Sequence, residues 1–206
     1  MNLIIDGLPT TVVISGEAVP IETDHRVGML FDLAMADDDL TDEEKLMTAL
    51  RLYFPGREFT PDKLQDAVSA ILWFFRAGQT PAPAEGDAAP VYSFEHDAEL
   101  IYAAFLQAYG IDLATQTLHW WQFHALLRSI PETCLFARAV GYRSAEIPAD
   151  ASQKERERIQ KMKDLYKLPL SEKQQKMETD LSALLMAGGN PLELLEGGTQ
   201  WPQTEP

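Results

Sequence analysis

Nucleophilic, acid–base or metal chemistry in this chain would have to be built from four histidines, His25, His96, His119 and His124, and a single cysteine, Cys134. His119 and His124 are separated by about 140° on a helix at 100° per residue, so they cannot face one metal ion. His96 stands in Glu95-His96-Asp97, an acidic cluster suited to the positive end of a helix dipole. Cys134 has no basic residue nearer in sequence than Arg138, which is the setting of a small buried hydrophobe and not of an activated thiolate. Asp37-Asp38-Asp39 with Asp42-Glu43-Glu44 invites a calcium reading. A loop counted from Asp37, however, has Asp42 where glycine is required and Thr48 where glutamate is required. A solvated loop running into a helix N-terminus explains the cluster better. The chain contains no phosphate-cradling glycine loop ending in Lys-Ser/Thr, no Gly-x-Ser-x-Gly elbow, no His-Glu-x-x-His and no Gly-x-Gly-x-x-Gly. The expectation is therefore no enzyme, no catalytic residue, no cofactor and no metal.

Binding is the chemistry left, and charge is its clearest marker. The 206 residues carry a formal net charge of −15, which repels phosphate backbones and argues against nucleic acid as a partner. Residues 151–176 run against this trend, with eight basic residues (Lys154, Arg156, Arg158, Lys161, Lys163, Lys167, Lys173 and Lys176) and four acidic ones, a net of +4. On a helix this segment sets an apolar strip, Met162, Leu165 and Tyr166, beside a basic one, Arg158, Lys161 and Lys163. Such a helix can bury the first strip on a partner while the second neutralises acids there. It offers a contact to an acidic partner or to another copy of the chain. The adjacent pair Trp120 and Trp121 diverge by about 100° on a helix, so both are covered only if two different neighbours, from this chain or another, cover them. They are the second candidate interaction site.

The elements that must position these residues read as α+β: mainly helical, with a small N-terminal antiparallel β meander, and a multi-helix bundle in two lobes. Thr10–Ile14, the turn pair Ser15-Gly16 and a return strand at Ala18–Ile21 make the meander, with a short first strand at Leu3–Ile5. Helices follow: one capped by Thr23 or Asp24 with Val27, Leu30, Phe31 and Ala34 inward, and one opened by the capping box Thr41-Asp42-Glu43-Glu44. Next comes a helix from Thr60-Pro61 burying Leu64, Val68, Ile71, Leu72 and Phe75, then one from Ser93 to Gly110, and further helices at Leu118–Ile130, Pro131–Val140, Ala151–Tyr166 and Ser171–Met186. The domain organisation is an N-terminal lobe over 1–78, a Pro/Ala-rich linker over 79–90, an aromatic-rich helical lobe over 91–168, and a C-terminal helix and mobile tail over 169–206. No apolar run approaches the 18 or so residues of a membrane span, and the opening Met1–Asp6 lacks a secretory signal, so the chain is expected to stay where it is made.

The segment Val91–Leu113, with Leu118-His119-Trp120-Trp121-Gln122-Phe123 and Gly141-Tyr142-Arg143-Ser144, resembles the bacteriophage gene-product-fifteen family. Gly7-Leu8-Pro9-Thr10-Thr11, Thr23-Asp24-His25-Arg26 and Tyr53-Phe54-Pro55 fit the same family, and the resemblance covers roughly Met1 to Pro169. Val27-Gly28 is less bulky than the family pattern after Asp-x-Arg. The resemblance implies a protein of a tailed phage (siphovirus) or prophage, encoded ahead of the tape-measure gene and acting as a tail assembly chaperone. It further implies binding to the tape-measure protein and keeping it soluble during tail tube assembly, with the tail tube protein as a second partner and weak homo-oligomerisation. The expected location is the host bacterial cytoplasm, with absence from the mature virion. The alternative is a structural tail or connector component of the particle.

Overall fold

The computed structural model describes residues 3–80 and 90–169. Two strands, β1 (Thr11–Ile14) and β2 (Glu17–Pro20), precede seven helices among the described residues: α1 (His25–Ala36), α2 (Asp42–Tyr53), α3 (Leu64–Phe75), α4 (Ala98–Tyr109), α5 (Trp120–Arg128), α6 (Leu135–Ser144) and α7 (Gln153–Tyr166). The mainly helical α+β class read from the sequence is the class the chain adopts.

The sheet is an antiparallel hairpin in which Ile14 opposes Glu17 and Thr11 opposes Pro20. Its two-residue turn needs positive φ at both central positions, which Ser15 (49°) and Gly16 (81°) supply. Val12 and Ile14 point inward and are 4% and 1% exposed. Leu3–Ile5 is not the third strand of a meander. It forms a turn at the surface, with Ile4 and Ile5 94% and 79% exposed.

The helix starts follow their capping residues. Asp24 accepts from the Arg26 amide at 2.9 Å, and Thr41 and Glu44 exchange both bonds of a capping box. A 3-10 turn at Pro61–Lys63 leads into α3, and Gly110 ends α4 in the left-handed conformation. Ser93 caps a turn, accepting from the amides of Glu95 and His96, so α4 itself begins only at Ala98.

The helix faces are rotated from those the apolar residues alone suggest. Helix α1 buries His25, Gly28 and Phe31 while Leu30 is 51% exposed, and α3 buries Ala67, Ala70, Ile71 and Phe74. Small residues face inward because neighbours come close. A Cβ on Gly28 would lie 2.2 Å from Trp120 Cε3.

Met1–Leu168 forms one compact unit, and the two expected lobes share one core. Trp120 stacks with Phe75 (5.2 Å, 12°) and with Phe123 (5.6 Å, 20°). The indole N–H groups of Trp120 and Trp121 donate to the carbonyls of Phe75 and Phe74, each at 2.7 Å. Of the linker 79–90, only Gln79, Thr80 and Pro90 are described. Ser171–Met186 and the rest of 169–206 after Pro169 lie outside the described residues.

Candidate functional site

Helix α7 is capped by Ser152, whose hydroxyl accepts from the Glu155 amide at 3.3 Å. Its inner side, Ile159, Met162, Lys163 and Tyr166, is half-buried. Tyr166 stacks on Tyr142 of α6 at 5.5 Å and 8°, and Lys163 Nζ donates to the Ala145 carbonyl at 2.6 Å. Lys163 and Tyr166 therefore work within this chain, holding α7 to the end of α6, and Met162 is half-buried on the same side of the helix. Arg158 and Lys161 are exposed, and Leu165 is 67% exposed. With Lys154 they fall within about 60° of one another around the helix. Among the described residues, Lys154, Arg158 and Lys161 have no ion pair or hydrogen bond from their side chains. The outcome is a stripe of three uncommitted cations ending in one apolar side chain.

Trp120 and Trp121 are each 2% exposed, and both are covered by their own chain. Phe75 and Phe123 stack with the first, and Trp73 meets the second edge-on at 5.2 Å. Neither indole is available to a second molecule in this conformation, so the aromatic candidate for an interaction site is core.

A sequence profile of the family described as Bacteriophage Gp15 protein matches residues 4–168. The chain belongs to that family. No curated protein and no solved structure matches. The match takes in α7 and the whole described unit, and it makes this a bacteriophage protein.

In this Gp15-family protein the residue that fixes α7 is one the sequence reading passed over. Arg143, 10% exposed, grips the 2%-exposed Asp97 through two bonds, Nη1 to Oδ2 at 2.6 Å and Nη2 to Oδ1 at 2.8 Å. It also donates to the carbonyls of Val91 (3.0 Å) and Tyr166 (2.5 Å). Asp97 in turn accepts from the Ser93 amide at 3.0 Å. One guanidinium thus joins the turn before α4, the end of α6 and the end of α7, using the planar fork that only arginine has. The helix-dipole explanation of Asp97 is replaced by a buried ion pair. Its signal in the sequence was an aspartate beside the apolar Phe94 and Ala98, and an arginine inside Gly141-Tyr142-Arg143-Ser144.

A second cluster also escaped the sequence reading. Asp32, Arg76, Tyr92, His124 and Arg128 line a cleft of about 440 Å³ floored by Phe75 and Trp120. Burial holds the Asp32 carboxyl above the usual carboxylate range. Burial, with Arg128 adding to it, holds His124 below the usual histidine value. Asp32 within Leu30-Phe31-Asp32-Leu33 and the i, i+4 pair His124 and Arg128 were the available signals. The cleft presents both signs of charge. Cys134 is 1% exposed and lines none of it. Among the described residues, no group of three or more His, Cys, Asp and Glu is placed to hold a metal ion, and no helix is long and apolar enough to cross a membrane.

Proposed function

We propose that this Gp15-family protein is a tail assembly chaperone that binds the phage tape-measure protein and keeps it soluble while tail tube subunits assemble around it. The observation that supports this most is α7: its inner side is locked to α6, and its outer side carries Lys154, Arg158, Lys161 and Leu165 without a partner among the described residues. A rigid helix with free cations beside an apolar residue suits a weak, reversible contact, and the net charge of −15 keeps the bound assembly in solution. In this reading the protein does no chemistry, works in the host cytoplasm, meets the tube protein only as the one that displaces it, and is left out of the finished particle.

The test changes Lys154, Arg158 and Lys161 together to Glu and measures co-purification with the tape-measure protein at low and high salt. Loss of the complex at low salt, with the fold intact by circular dichroism, is the expected result. Wild-type binding should also weaken with salt, since exposed charges are screened over about 8 to 10 Å. Undiminished co-purification of the variant refutes α7 as the contact. Stoichiometric presence in purified virions replaces the chaperone reading with the structural-component one.

A further inference from the structure

The hairpin has two outer edges, and only one of them is protected. The bond from the Ile21 amide to the Thr10 carbonyl (3.1 Å) and the pairing register put residues 10, 12 and 14 in the hydrogen-bonded positions. Along β2 the outward positions are therefore Ala18 and Pro20, and Pro20 has no N–H to offer. The same strand begins at Glu17, whose carboxylate is drawn to Lys63 (3.6 Å) and Arg57 (3.9 Å). Proline and charge are the usual means of blunting an edge. Along β1 the outward positions are Thr11 and Val13. Neither is charged or a proline, and their outward backbone groups have no hydrogen bond among the described residues. Val13 is 70% exposed.

Beside this open edge runs a groove of about 540 Å³ between β1 and α3, with Val13, Ser69, Ala70 and Trp73 among its lining residues. Trp73 is 38% exposed and is held edge-on by Trp121, so its position is fixed while part of its ring faces the groove. A groove of this kind beside unpaired backbone groups is what an added β-strand requires: main-chain bonds along the edge and pockets for alternate side chains.

The chain itself carries a segment with the matching chemistry. Leu3-Ile4-Ile5 is apolar and rich in β-branched residues, reads as a strand, and yet lies in a surface turn with side chains 41%, 94% and 79% exposed. We propose that residues 3–6 of one copy add as a third strand to the β1 edge of a second copy, with alternate side chains entering the groove by Trp73. Donor segment and acceptor edge are different surfaces, so the contact is head-to-tail, and each added copy brings a fresh open edge. Self-association by this route is independent of tape-measure binding through α7.

The test is sedimentation velocity of the full chain alone over a range of concentrations. The donor variant carries Ile4→Lys and Ile5→Lys. The acceptor variant carries Val13→Pro, which removes an outward N–H and leaves the hairpin's own ladder intact. Wild type should sediment faster as concentration rises, and each variant should stay monomeric with at least tenfold weaker association. Mixed together, the two variants should form a one-to-one dimer and nothing larger, because one intact segment and one intact edge remain. A wild type that stays monomeric, variants that associate like wild type, or a mixture that gives no dimer or gives larger species overturns the proposal. If Val13→Pro disturbs the fold by circular dichroism, Val13→Lys serves as the acceptor variant under the same criteria. No tape-measure protein is present, so failure here leaves the α7 reading standing, and failure of the α7 variant leaves this one standing.

Discussion

Replacing Gly28 with alanine removes a helix-interior glycine, a change that by helix propensity alone should stabilise the protein by about 1 kcal/mol. The structure reverses the sign. The new methyl would lie 2.2, 2.4 and 2.5 Å from three ring atoms of Trp120, where ordinary contact begins at 3.4 Å, so the indole must retreat by roughly 1.2 Å. It has nowhere to go. Phe75 and Phe123 both stack against it, and its N–H is fixed at 2.7 Å from the Phe75 carbonyl. Overpacking of this kind costs about 1–3 kcal/mol and a disturbed indole hydrogen bond about 1 more, against the propensity gain of about 1. The net expectation is a loss of about 1–3 kcal/mol, or about 2–12 °C in melting temperature for a chain of this size. Gly141 supplies the control. It also lies within a helix, α6, but a Cβ there meets nothing within 4 Å, so Gly141→Ala should gain about 0.5–1 kcal/mol. Urea unfolding of both variants, with near-ultraviolet circular dichroism reporting the tryptophan environment, decides the matter. A Gly28→Ala protein as stable as wild type with an unchanged tryptophan band refutes the packing argument.

Arg143→Ala should cost about 3–5 kcal/mol, because it leaves the buried Asp97 carboxylate without its cation. It should also free α7, seen as amide exchange rising across residues 153–166 before global unfolding, and unchanged protection there contradicts the clamp. Burial holds His25, His119 and His124 below the ordinary histidine value, and for His25 it outweighs the Asp24 carboxylate at 3.1 Å. The unfolded chain therefore binds protons first as pH drops below about 6.5, and stability falls from there toward pH 5 by up to about 1.4 kcal/mol per histidine per pH unit. Asp32, raised by its own burial, works in the opposite sense. Urea unfolding at pH 7.5 and 5.5 measures the slope, which His25→Gln should flatten, and a stability unchanged between the two values rules the histidines out.

Local chemistry was the readable part of this sequence. The Thr41–Glu44 box, the Ser15-Gly16 turn and the Gly110 stop each depend on residues within a few positions of one another, and each appears where its residues place it. Helix faces were less legible because distant partners set them. Which side of α1 faces inward depends on Trp120 lying against a glycine, and which side of α3 does so depends on the elements that pack on it, β1 and α2 among them. Leu3–Ile5 has the composition of a strand yet lies in a surface turn, because composition does not fix which segment pairs with which. On α7 the mixed strip of cations and apolar residues was legible, while its division into an inner and an outer side was not. That division is made by Tyr142, Ala145 and Arg143, none of which lies on the helix.

Helices α1 and α5 begin against each other: Asp24 and His119, their two capping residues, form an antiparallel bridge, with the Trp120 amide donating to Thr23 at 2.7 Å and the His25 amide to Leu118 at 2.9 Å. His119 reaches further back, its Nε2 lying 2.9 Å from the Pro9 carbonyl. On the ribosome this tie cannot close until position 119 has been made, some 95 residues after Asp24. At about 5–20 residues per second, that is a wait of about 5 to 19 s. Throughout that interval the apolar faces of α1 and α3 lack the aromatic side chains of α5 that pack on them. The nascent chain thus exposes apolar surface until α5 is made, and its synthesis rate between residues 80 and 120 becomes a quantity on which its yield depends.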